Sequence, residues 1–215
     1  MHVDSAVELG RDDPALEMPW ASDDGSLRYC DIRNNPALID TLPEARYWLE
    51  MREFLIRANV ADFPMQTAKS DVWSTTEISP EEEIFSASWK FASYTDLIFS
   101  DHAPRFSLPT HQALITKLCA LLQRAPDMPA SVEFVLRHCY YHVLDEVARG
   151  NESQKSREQA QLHGIAPEEP RDDSVGGFCV TLYVSGFGNT EQEARQRWSI
   201  ALKLVQHALI QAVHL

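Results

Sequence analysis

His138 and His142 stand four residues apart, and Asp145 follows three residues later. On a helix that spacing turns both imidazoles to one side, and Asp145 would add a carboxylate there, the ligand types of a zinc site. His102 or His111 would approach from the preceding segment. On a strand, two imidazoles four apart still share a face, so the metal expectation does not depend on which element forms. The glutamate of a His-Glu-x-x-His motif is absent, because Cys139 follows His138. The plainer reading is a pair of solvated histidines, since His-x-x-x-His arises readily by chance.

A second set of residues suits ligand binding. Trp73, Phe85, Trp89, Phe91, Tyr94 and Phe99 make an aromatic hairpin. If walls stood on both sides of it, Trp89 and Tyr94 would line a pocket, with Ser88, Lys90 and Arg137 orienting the ligand. The competing expectation is that one face of the hairpin is core. Glu81-Glu82-Glu83 invites an acid–base reading, but such chemistry needs environments that split the carboxyl pKa values, and a charged run in a turn is more simply solvated. Gly186-x-Gly188 between a strand and a helix has the look of a phosphate cradle. It lacks the third glycine of a dinucleotide fingerprint and the lysine of a P-loop, and Glu191 and Glu193 would repel a phosphate. No Gly-x-Ser-x-Gly elbow is present, and Cys139 falls on an apolar stripe as a structural thiol.

The elements that would position these groups follow from periodicity. Phe178, Val180, Leu182 and Val184 alternate with polar neighbours as a strand. Thr190-Glu191-Gln192-Glu193 is a capping box, and Ala194, Trp198, Ala201, Leu202, Val205, Ala208, Leu209 and Ala212 form one helical stripe over 190–213. Helices are expected over 41–59, opened by a capping box at Thr41 and Glu44, and over 109–124. Residues 72–78 and 84–99 read as a hairpin, with a bulge near Ser93-Tyr94-Thr95. Composition over 132–149 favours a strand, but Val132, Val135, Leu136, Cys139, Tyr140, Val143, Leu144 and Val147 keep helical period, so a helix is expected, ended by Gly150. The fold class that results is α+β: a small, mainly antiparallel sheet packed against amphipathic helices, the last of them long. Residues 1–26 read as a mobile acidic tail in which Trp20 is placed to dock. Residues 27–215 form one domain with a mobile loop at about 151–174.

Composition narrows the function classes. A net charge of -13 disfavours nucleic acid, whose phosphates need a basic face, and an anionic membrane surface. The four cysteines are widely spaced, without a Cys-x-x-Cys, and read as free thiols. No signal peptide or spanning segment is evident, which points to the cytoplasm. No motif names a cofactor or substrate. The leading expectation is a non-catalytic interaction or accessory protein with a protein partner or a second copy of itself. The alternatives are a small-molecule or metal binder, and an enzyme whose site gathers His111, His138, His142, Asp96 and Arg137 from distant segments.

Overall fold

The computed structural model describes residues 1–22, 24–142 and 174–213. Six strands form one sheet: β1 (His2–Glu8), β2 (Leu16–Met18), β3 (Met65–Thr75), β4 (Trp89–Phe99), β5 (Ala130–His142) and β6 (Ser174–Gly188). The order is β1-β5-β6-β4-β3, and β2 pairs with β5 beyond the end of β1. The β3–β4, β4–β6 and β5–β6 ladders are antiparallel; β1 and β2 run parallel to β5. The helices are α1 (Pro43–Tyr47), α2 (Leu49–Ala58), α3 (His102–Arg105), α4 (Leu108–Leu122) and α5 (Glu191–Val213), with 3-10 turns at Pro36–Thr41 and Pro80–Phe85. The expected α+β architecture with a long final helix is therefore present. No helix among the described residues is long and apolar enough to cross a membrane.

Helices α2, α4 and α5 cover one face of the sheet. Alternation turns Phe91, Leu97, Val132, Phe134, Leu136, Val180, Leu182 and Val184 toward them, into the main core. Every apolar residue of the expected α5 stripe is buried there, so that stripe is core and is not a surface for a helix–helix dimer. The α5 cap forms with a shift: Glu193 N–H donates to Thr190 Oγ1 at 3.2 Å, while the Glu193 carboxylate accepts from Asn189 N–H at 2.9 Å. A smaller cluster on the opposite face joins Leu16, Met18, Ala68, Ile98, Cys139, Tyr141 and Cys179.

Several expectations are corrected. Residues 130–142 form a central strand, not a helix. Its helical-looking stripe arises because both faces are buried: Val132 and Leu136 enter the main core, whereas Val135 and Cys139 are buried on the other side. A strand covered on both faces loses its clean alternation, and the Val, Phe and Tyr composition then carries the assignment. The N-terminal segment is not a free tail. Asp4, Ala6 and Glu8 alternate with Val3, Ser5 and Val7, and this short strand pairs in register from His2↔Ser131 to Glu8↔Arg137. The helix expected over 41–59 breaks at the extended Trp48. Its capping box does not form, because the Thr41 hydroxyl donates to Leu38 O and Glu44 accepts from Ser70 Oγ. The β-bulge lies in β3, between Thr67 and Ser70, and not in β4. The expected loop at 151–174 lies outside the described residues except for Ser174, which opens β6.

Candidate functional site

The edge strand β3 and the segment that crosses it build a large concavity. Two pins hold residues 20–33 in place. Trp20 Nε1 donates to Ala68 O at 2.7 Å, which docks the indole beside β3. Arg33 gathers four carbonyls: Nη1 donates to Val60 O, Phe63 O and Met65 O, and Nη2 to Ala61 O, at 2.6–3.2 Å. A guanidinium suits this because its donors lie in a fixed fork, and the α2–β3 connection offers carbonyls that need partners. Between the pinned segment, α1 and β3 lies a cleft of about 1060 Å³. One wall is Thr67–Val72 of β3; the other includes Leu27–Cys30, Leu42, Glu44 and Trp48. Leu27 and Tyr47, 58% and 74% exposed, stand at its margin.

The bulge sets the electrostatics. Thr67 faces Leu97 and Ser70 faces Thr95, so Ala68 and Lys69 both lie opposite Asp96. Such bulges re-aim side chains. Here Lys69 Nζ lies 5.2 Å from the Trp20 ring centroid, within cation–π reach. Asp96 is buried and accepts from the Thr181 hydroxyl at 2.5 Å. Burial raises its carboxyl above the ordinary range, although Thr181, Arg137 and Lys69 oppose the shift. Tyr94 lines the cleft two residues away; burial first, then Asp96 and Asp71, raises its phenol. Burial and Asp31 likewise raise Tyr29, to about 12.

A pH dependence follows. Unfolded, Asp96 releases its proton near the usual carboxylate value; folded, it keeps the proton to higher pH. The folded state therefore binds more protons in that window, and stability falls as pH rises through it. In Asp96→Asn the amide oxygen still accepts from Thr181 but carries no charge. The variant's stability relative to the parent is expected to rise from about pH 4 upward and level off once Asp96 has titrated in the fold. Urea midpoints across that range measure this; two parallel curves would refute it.

The residues expected from sequence do not meet in one place. Tyr94 reaches the cleft. Trp89 packs on the main core. Lys90 forms an ion pair with Glu82, which absorbs part of the acidic run into the fold. Arg137 lies beyond β6 on the cleft side of the sheet. Its Nη2 is 2.7 Å from Glu8 Oε2, its Nη1 donates to Tyr183 OH at 3.1 Å, and its guanidinium lies 5.7 Å from the Tyr183 ring centroid. Phe91 fills the space between β4 and α5, packing against Trp48 and Trp198, each 4.9 Å away between ring centroids.

His111 is buried on α4. Its Nδ1 lies 2.9 Å from Ser107 O, and burial lowers its pKa, favouring the neutral ring. His138 lies 5.8 Å from Phe178, centroid to centroid, with Nε2 3.3 Å from Leu9 O. His111 also packs on Phe178, whereas Asp96 and Arg137 point to the opposite face, so the sheet separates members of the proposed enzyme set. His142 closes β5, and Asp145 lies outside the described residues; among those described, no three His, Cys, Asp or Glu residues group as metal ligands. The glycines of the supposed phosphate cradle serve packing: a Cβ on Gly186 would lie 2.2 Å from Ala194 O, inside the first turns of α5.

Sequence reading missed Trp48, Lys69 and Asp71 as cleft residues, and Trp20 was expected only to dock. The sequence carries no periodic signal for them: from Gln66 to Asp71 every residue but Ala68 is polar. No protein family, curated protein or solved structure matches the chain. The fold and site define an α+β protein with an aromatic, mixed-charge cleft at the edge of its sheet.

Proposed function

We propose that this is a non-catalytic interaction protein whose ligand occupies the β3 cleft. The observation that carries this reading is the cleft itself: about 1060 Å³, walled by aromatic and apolar side chains with a few polar groups among them. Concavities of that size and mixture are where proteins hold ligands. Trp20, Tyr29, Trp48 and Tyr94 supply apolar surface; Lys69, Arg28, Asp71 and Glu44 supply directional contacts. Binding is favoured over chemistry because no histidine lines the cleft among the described residues, and its titrating phenols, Tyr29 and Tyr94, hold their protons more tightly than usual.

A thermal-unfolding screen against metabolites and short peptides tests the reading, since a ligand that prefers the native state raises the melting temperature by mass action. A concentration-dependent rise is expected, and it should disappear in Ser70→Trp and, independently, in Thr41→Trp, each of which fills the cleft from one wall. Far-UV circular dichroism verifies that both variants fold. A ligand that stabilises the parent and both variants equally would place binding elsewhere.

A further inference from the structure

We propose that the occupant of the cleft is an extended, cationic segment of a partner polypeptide, which adds to the sheet as a strand along the outer edge of β3. The inference rests on the reading of the cleft as the binding site and names its ligand class.

β3 is the terminal strand of the sheet on this side, and Thr67–Val72 forms a cleft wall. A strand edge presents main-chain N–H and C=O groups that need partners. Side chains provide several of them here: Arg33 donates to Met65 O at 3.2 Å, Thr67 N–H donates to Asn59 Oδ1 at 3.1 Å, Trp20 donates to Ala68 O at 2.7 Å, and Val72 N–H donates to the carboxylate of adjacent Asp71 at 2.8 Å. These are single contacts spread along a strand, and the cleft separates much of the edge from the segment that would otherwise cover it. Past the bulge, Ser70–Thr75 is a regular run of six residues, which accepts an extended peptide about 20 Å long. The other outer strand, β1, carries His2, Asp4 and Glu8, and no comparable cleft lines it among the described residues.

Alternation selects the side chains of the added strand. On the helix side they would meet Val72, Leu42 and Trp48, which suit an apolar residue. On the other side they would meet Asp71 and the Tyr94 ring, which suit a cation. Lys69 is already drawn over Trp20. The net charge of -13 favours a basic partner during encounter as well as in contact. Main-chain pairing would supply affinity and the alternating contacts specificity, as in other strand additions.

The test uses the full chain and the blocked hexapeptide Lys-Val-Lys-Val-Lys-Val, followed by fluorescence of the cleft tryptophans. Its probes are the Glu-Val counterpart and two N-methylated Lys-Val peptides, one methylated at every lysine amide and the other at every valine amide. Saturable binding of Lys-Val is expected, at least about ten-fold tighter than Glu-Val, and weakened by Asp71→Lys. A pairing strand turns only one alternate set of amides to β3, so one methylated peptide should lose binding and the other keep it. Equal effects of the two methylations, or equal affinity for the acidic peptide, would overturn the proposal. If no peptide binds but a metabolite stabilises the parent and not the cleft-filled variants, strand addition falls and the cleft reading stands. If nothing binds there, both fall.

Discussion

Gly186→Ala is expected to destabilise the protein by about 4 kcal/mol or more, a large share of an ordinary domain's stability. The new Cβ would lie 2.2 Å from both Ala194 O and Trp198 N, and 2.9 Å from Arg197 C. All three are backbone atoms of α5, so no rotamer change relieves the overlap; the helix must lift from β6. That would loosen the packing of Trp198 and its neighbours on β4 and β6. Gly176→Ala is the control, because its Cβ would meet only the Tyr140 ring at 3.6 Å, an ordinary contact. Its effect should stay within about 0.5 kcal/mol. Urea unfolding of the two variants measures the contrast. Similar small losses at both positions would show that α5 does not approach β6 this closely.

The second large effect is expected at Trp198. The side chain is fully buried, packs on Phe91 at 4.9 Å between ring centroids, and donates its indole N–H to Ser93 Oγ at 2.9 Å. Trp198→Ala removes that volume from between α5 and β4 and leaves Ser93 buried without its donor. A loss of about 4–5 kcal/mol is expected, a large share of the stability of an ordinary domain. Trp198→Phe keeps an aromatic ring but not the hydrogen bond and should lose less. Chemical denaturation together with sedimentation separates this from an interface role: a folded, fully stable monomer of Trp198→Ala would contradict the core assignment. The two substitutions approach the same contact from opposite sides, one by overfilling it and the other by emptying it.

Local pattern and tertiary packing divide cleanly along this chain. Sequence alone determined the elements that bury one face. The α5 stripe from Ala194 to Ala212, the helix over 108–122 and the alternation of Phe178 to Val184 each carry their own period, and the α+β class follows from them. Sequence could not determine β5, because burial on both faces erased its alternation and left a stripe of false helical period. Nor could it place β1, whose partner lies more than a hundred residues away and whose acidic side chains resemble a tail. Of the ligand-binding residues expected, Tyr94 alone reached the cleft, since a strand position fixes which face a side chain points to but not what stands opposite. The cleft exists because Trp20 and Arg33 pin an irregular segment across β3 and because a bulge turns Lys69 beneath Trp20. Those contacts link positions tens of residues apart through single hydrogen bonds. They have no period to read, and only the folded chain brings them together.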